Sequence, residues 1–260
     1  MVEIAFLLLL GAFSGFIAGL LGVGGGLIIV PVLLYVLAFE VQEAVLMHTA
    51  IGTALAVIVF TSISSVWAHH RHGAIYWQYF IKLTPTILLG AFSGAIIAQY
   101  LSFDFLRIFF AIFEIMVAMI MWFGISAAGH VDNLNRWVWL VTGYIIGLVS
   151  AIVGIGGGTM TTPFLIYNKV DIKNAIATSA AVGMPIAIAA SIGFIVAGWN
   201  TKNVVGSLGF IHIQALFSIV VMSVIFAPLG VKVAHSVDGK KLKKFFALFL
   251  VILAISVLSF

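Results

Sequence analysis

Gly22-Val-Gly-Gly-Gly26 followed by Pro31 recurs as Gly154-Ile-Gly-Gly-Gly158 followed by Pro163, with the same spacing and the same apolar flanks. The chain is read as a duplication. A glycine break inside a hydrophobic segment, once in each half, is the pattern expected where two broken helices meet near the middle of a bilayer around a bound solute. Glycine allows the sharp turn, and proline fits the first turn of a new helix, where its missing N–H has no partner to lose. Each break should therefore open the second limb of a bent hairpin.

Composition sets the class. Of 260 residues, 63% are hydrophobic and 8% charged, with a mean hydropathy of +1.27, far from the roughly 25% charged residues of soluble domains. This describes a polytopic integral membrane protein. The longest polar stretches, Gly129 to Arg136 and Trp199 to Ser207, are too short for a soluble nucleotide-binding module. The net charge of +4 comes from loop Lys and Arg, which report orientation in a membrane protein rather than nucleic-acid binding. No cysteine is present, so disulfides and thiolate chemistry are excluded. Met1-Val-Glu3-Ile lacks a basic leader region and is expected to stay in the mature chain.

Apolar runs fall near 4–21, 27–38, 43–67, 77–100, 103–124, 135–153, 157–168, 173–198, 209–233 and 241–260. A bilayer core needs about 20 helical residues, so 27–38 and 157–168 are too short to span alone. The repeat extends past the glycines. At an offset of 132, Gly11, Gly15 and Tyr35 fall on Gly143, Gly147 and Tyr167; at 131, Ala50 and Gly52 fall on Ala181 and Gly183; at 136, Gly73, Gln78, Gly94 and Phe109-Phe110-Ala111 fall on Gly209, Gln214, Gly230 and Phe245-Phe246-Ala247. The repeats are assigned to 1–128 and 135–260, together forming one transporter-type unit.

Basic loops choose the topology. If each broken segment makes no net crossing, His69 to His72, Arg136, Lys169, Lys173 and Lys240 to Lys244 all lie on the cytoplasmic side, with Glu3, Glu40 and Glu43 outside. Counting each break as one crossing puts Lys240 to Lys244 outside. The first arrangement is preferred. It gives an all-α fold of two inverted repeats, each a glycine-broken hairpin plus three transmembrane helices, with about eight helices legible by hydropathy.

Backbone that is not helical survives at membrane depth only where protein packs it or water reaches it. A limb starting near Gly26 or Gly158 presents a positive helix end, so Gly24, Gly25, Gly26, Gly156, Gly157 and Gly158 are candidate seats for an anion. The alternative role, close packing, suits Gly11-x3-Gly15-x3-Gly19 and Gly90-x3-Gly94 better. On the helices that follow, His48, Thr49 and Thr53 are set against Thr178, Ser179 and Met184. Thr49, Thr53 and Ser179 could complete an anion's hydrogen-bond shell, or simply bond their own backbone. Gln78 and Gln214 are a matched pair that either joins the site or faces headgroups. His48 and Glu114 are the intramembrane groups that could couple a proton, Glu114 because a mid-helix carboxylate costs about 2.5–3.5 kcal/mol to insert. His69, His70 and His72 read as solvated or lipid-facing, not as a metal site. No catalytic constellation, cofactor fingerprint or metal-ligand motif is present, so the chain is not expected to be an enzyme.

The doubled glycine motif, the small-residue stretch Ala50-Ile-Gly-Thr53, the basic loop before Gly73-Ala-Ile and the Gly90-x3-Gly94 helix resemble the TauE/SafE sulfite-exporter family over almost the full length. The resemblance implies a permease for sulfite, sulfoacetate or a related sulfur-containing anion in the inner membrane of a prokaryote. Gly183-Met184-Pro185 departs from Gly52-Thr53 and removes one polar position. An anion leaving a negative interior is favoured by about 2.3 kcal/mol per charge per 100 mV, so export needs no coupled ion. The expected mechanism is alternating access around a small anion held between the two glycine loops. A passive channel for a small solute and a membrane scaffold are the alternative readings.

Overall fold

The computed structural model describes residues 2–124, 135–200, 206–236 and 240–260. The repeat boundary at 128, most of the Gly129 to Arg136 stretch, part of the Trp199 to Ser207 stretch and the side chains of Lys240, Lys241 and Lys243 lie outside the described residues. Ten helices run in the order α1 (Val2–Leu21), α2 (Gly26–Leu37), α3 (Glu43–Arg71), α4 (Trp77–Ala98), α5 (Phe103–Phe123), α6 (Arg136–Val153), α7 (Gly158–Tyr167), α8 (Ile172–Ala197), α9 (Ile213–Ser236) and α10 (Lys240–Leu258). Seven of them, α1, α3, α4, α5, α6, α8 and α9, are long and apolar enough to cross a membrane. The protein is a polytopic, nearly all-helical membrane protein.

The two short limbs, α2 with 12 residues and α7 with 10, are about 18 and 15 Å long at 1.5 Å per residue, against a hydrocarbon core of about 30 Å. Neither can cross alone, as their lengths in sequence require. Pro31 and Pro163 lie in the second turn of these helices rather than the first. The reason is that each helix starts at the last glycine of its motif, immediately after a left-handed glycine that ends the turn. The run at 209–233 also differs from a simple helix. Ser207–Leu208 (β1) and Ile211–His212 (β2) form a two-stranded antiparallel hairpin ahead of α9.

Packing follows the small residues. A side chain on Gly11, Gly15 or Gly19 of α1 would run into the backbone carbonyls of Ile219, Ser223 and Ala227 on α9. Those carbonyls advance in the same order as the glycines, so α1 and α9 are parallel and level. Gly90 and Gly94 of α4 meet Tyr144 and Leu148 of α6 in the same way. The packing pairs exchange when the halves are exchanged: α1 on α9 matches α6 on α4, α3 on α9 matches α8 on α4, while α3 on α8 and α5 on α10 map to themselves. With little hydrophobic drive between helices in lipid, this close backbone approach supplies the van der Waals contact that holds them.

Two polar contacts fix where the short limbs go. Glu40, just past α2, lies 3.3 Å from His212, just before α9, so α2 ends on the side where α1 and α9 begin. Asn174, at the start of α8, donates to the Ala74 carbonyl at 2.9 Å, just before α4, which runs level with α6. Accordingly α7 ends on the side where α6 begins. The two hairpins enter the bundle from opposite ends of α3.

Candidate functional site

The glycine loops cross at the centre of the molecule, back to back. Gly25 at φ 82° and Gly157 at φ 72° are the N-caps of α2 and α7, a left-handed conformation that costs a residue with a Cβ roughly 1–2 kcal/mol. The Gly25 carbonyl accepts from Ile28 at 3.0 Å and Ile29 at 3.1 Å, and the Gly157 carbonyl from Met160 at 3.2 Å and Thr161 at 2.8 Å. The loops also touch each other. Gly156 N–H donates to Val23 O at 3.3 Å, a Cβ on Gly24 would lie 3.0 Å from Gly156 Cα, and Gly26 and Gly158 pack on the carbonyl oxygens of Gly154 and Gly22.

Alternate residues of the first loop line two cavities. Gly22 and Gly24, with Gly156 of the other loop, line a small one that also holds Thr61, Ser62 and Ser65 of α3. Thr61 Oγ1 donates to Val57 O at 3.1 Å and pairs with Ser223 Oγ at 2.8 Å, and Ser62 Oγ donates to Val59 O at 3.0 Å. Ser65 Oγ is buried with no hydrogen-bond partner among the described residues. Leu21 and Val23 face a larger cavity of about 100 Å³ between α5, α7 and α8. Both cavities lie toward the Ala74 end of α3. Toward its Glu40 end, Met47, Thr49, Ala50, Ile51, Thr53, Ala54 and Leu55 of α3 have no exposed surface.

The residues singled out in the sequence divide into groups. Gly24, Gly25, Gly26, Gly156, Gly157 and Gly158 are together at the crossing. Thr49 Oγ1 donates to its own helix at Val45 O, 2.9 Å, and Thr53 Oγ1 accepts from His212 N–H at 2.9 Å, so both hydroxyls are engaged in structure. Ser179 Oγ accepts from Thr162 Oγ1 at 2.9 Å and ties α8 to α7. Gln78 and Gln214 are exposed in the first turns of α4 and α9, away from the crossing. His48 lies toward the Glu40 end, with Nε2 donating to Ala98 O at 3.0 Å and the ring 5.2 Å from Phe210. Its Nδ1 has no partner among the described residues. Glu114 has no exposed surface, and both its carboxylate oxygens lack partners among the described residues. It sits one turn from Val117, which lines the larger cavity.

Reading the sequence missed Thr61, Ser62 and Ser65, because hydroxyls in a long apolar helix look alike until a cavity selects some of them. It also passed over Thr159-Met-Thr-Thr162 directly after the second glycine motif. There the signal was legible, since the first copy reads Leu27-Ile-Ile-Val30 at the same place.

Comparison with known proteins finds membrane transporters. The family described as "Sulfite exporter TauE/SafE" matches residues 7–257. A "Probable membrane transporter protein" of Haemophilus influenzae is 39% identical over 252 residues, 96% of each chain. One of the same description from Methanocaldococcus jannaschii is 28% identical over 93% of this chain and 92% of its own. No solved structure matches. With seven helices among the described residues long and apolar enough to cross a membrane and a family match across nearly its whole length, the chain belongs to the TauE/SafE family and is a membrane transporter, not an enzyme.

Proposed function

We propose that the protein is a secondary transporter for sulfite or a related small sulfur-containing anion, working by alternating access in the inner membrane of a prokaryote. The observation that carries this reading is the small cavity at the crossing, shared by Gly22 and Gly24 of one loop, Gly156 of the other, and the hydroxyl-bearing face of α3. The glycine loops that lead into α2 and α7 contribute Gly22, Gly24 and Gly156 to its wall, and backbone N–H groups near helix starts suit an anion. Ser65 Oγ supplies a donor with no other use among the described residues. Residues 1–128 and 135–260 act as inverted repeats, each moving relative to the other. Cavities toward one end of α3 and fully buried α3 residues toward the other are what an alternating-access protein presents when open to one side. With the basic loops inside, that side is the cytoplasm. Glu114 and His48, the intramembrane ionisable groups of this reading, are the places for a coupled proton.

The test is flux in proteoliposomes with sulfite, thiosulfate, sulfate, sulfoacetate, taurine and chloride. Saturable uptake of one sulfur oxyanion with counterflow is expected, and Ser65→Ala should weaken it about tenfold or more, the scale of a lost hydrogen bond to a charged group. Flux that never saturates and shows no counterflow would identify a channel. Absence of flux with altered partner binding would identify a scaffold.

A further inference from the structure

The hairpin that leads into α9 is seated on both central helices. Phe210, Ile211 and His212 are buried, while Leu208 on the facing strand is exposed. Phe210 N–H donates to Phe194 O of α8 at 3.2 Å, and its ring stands edge-on to Phe194 at 6.4 Å and 5.2 Å from the His48 ring of α3. A Cβ on Gly52 of α3 would lie 2.6 Å from the Phe210 carbonyl oxygen, so glycine there lets the hairpin rest on the helix. Two paired residues per strand make no stable unit alone. The hairpin is therefore held in place by what it docks on.

His212 completes the seat. Its N–H donates to Thr53 Oγ1 of α3 at 2.9 Å, and its Nδ1 accepts from Ala215 N–H at 3.3 Å. The neutral ring then carries its hydrogen on Nε2, which stands 3.3 Å from Glu40 Oε2. This contact joins the two repeats, since Glu40 follows α2 and His212 precedes α9. The imidazole is buried and the glutamate side chain 48% exposed, so water can solvate the carboxylate when the pair parts. A partly exposed pair of this kind is weak enough to open.

The opposite end of α3 is tied differently. At the offset of 136, Tyr76 stands where His212 does. Tyr76 N–H donates to Thr178 Oγ1 of α8 at 2.9 Å and Asn174 Nδ2 donates to Ala74 O at 2.9 Å, but the Tyr76 side chain is exposed and leans on Tyr79. Asp171, the acid that follows α7, accepts from Lys173 N–H of its own helix at 3.1 Å. Docking of a segment on the other half's long helix is thus common to both ends. The acid–imidazole pair belongs to the Glu40 end, and the cavities to the Ala74 end.

We propose that the β1–β2 hairpin is the outward gate of the transporter and that Glu40 and His212 are its latch. The pair is closed while the cavities face the cytoplasm, and it parts, with His212 leaving Thr53, when the anion exits on the other side. The inference rests on the alternating-access reading and assigns two positioning residues to one step of it. Neither residue lines a cavity.

The native chain has no cysteine, so an introduced thiol is read without background. Ala54→Cys places a reporter on the buried stretch of α3 between Thr53, where the hairpin docks, and Ile58, which stands against both glycine loops. In intact cells a membrane-impermeant thiol reagent should label it slowly. Adding Glu40→Ala should speed labelling about fivefold, the scale of one net hydrogen bond. Adding Glu43→Ala, which removes a like exposed charge at the same end, should leave the rate unchanged. An unchanged rate with Glu40→Ala, or equal acceleration by Glu43→Ala, would overturn the latch. A second arm combines Glu40→Cys with His212→Cys in proteoliposomes and joins the thiols with a short bifunctional reagent that forms reducible disulfides. Sulfite flux should stop on cross-linking and return on reduction. Flux that continues through the cross-linked protein would overturn the gate and leave the transporter standing. Absence of saturable flux in the native protein, with labelling still faster in Glu40→Ala, would remove the transport reading and leave the latch.

Discussion

Alanine at Gly158 tests whether the two glycine loops hold each other in place. Its Cβ would strike the Gly22 carbonyl oxygen and lie 2.7 Å from the Gly22 carbonyl carbon and 2.8 Å from Val23 Cα. Carbon atoms pack at about 3.5–4.0 Å, so both approaches are short by roughly 0.7 Å or more. The atoms struck are backbone, in a loop that is itself bonded to its partner through Gly156 and Val23, and they cannot swing away as a side chain would. Overpacking costs about 1–3 kcal/mol, and a backbone-on-backbone clash belongs at about 3. Gly157→Ala, one residue earlier, is a different perturbation. There φ is 72° and the nearest atom is Ile186 Cδ1, the far end of a side chain that can rotate, so the cost is the left-handed backbone alone, about 1 kcal/mol. On the scale of about 2–4 °C per kcal/mol for a domain of this size, Gly158→Ala should melt roughly 6–12 °C lower and Gly157→Ala roughly 2–4 °C lower. Melting is followed by tryptophan fluorescence in nanodiscs. Gly26→Ala approaches the second loop from the other side, 3.0 Å from the Gly154 carbonyl carbon and 3.1 Å from Ile155 Cα, and should fall between the two. A Gly158→Ala protein that melts with the native one, or the reverse order of Gly157 and Gly158, refutes the reasoning.

Two further outcomes follow from the positions of single side chains. Glu114→Gln removes the charge but keeps the shape of a fully buried group; it should insert normally and lose the response of flux to an imposed pH gradient while exchange continues. Unchanged pH-gradient dependence would dismiss Glu114 as the coupling group. Gln78→Ala and Gln214→Ala alter exposed residues in first helical turns, so each should change stability by no more than about 0.5 kcal/mol and leave sulfite flux intact. A specific flux defect in both would return them to the site.

Much of the fold was legible because its causes are local. The span lengths follow from bilayer thickness acting on runs of apolar residues, and nine of the ten helices lie close to the runs that predict them. The exception, α9, starts at Ile213 rather than near 209 because Phe210 and Ile211, apolar enough to read as helix, are taken up by the hairpin that docks His212 N–H on Thr53. The packing role of Gly11, Gly15, Gly19, Gly90 and Gly94 was also legible, since small residues at every fourth position make one smooth stripe on any helix. Hydroxyls were not. Thr49 and Ser65 look equivalent along α3, yet the first bonds Val45 and has no exposed surface, while the second lines a cavity and its Oγ has no partner among the described residues. Only the helices brought against α3 separate them.

The sequence alone determined that the chain is a duplicated membrane protein broken once per half by glycine, because composition and repeat are properties of residue order and of the solvent around it. The tertiary structure decided what the two halves could not reveal separately: that the loops meet back to back, that cavities lie toward the Ala74 end of α3, and that Thr159 lines one of them while Leu27, its equivalent, is fully buried. A repeat in sequence encodes equivalent helices. The unlike neighbours those helices acquire on packing are set by residues more than a hundred positions away, and they make the two halves chemically different.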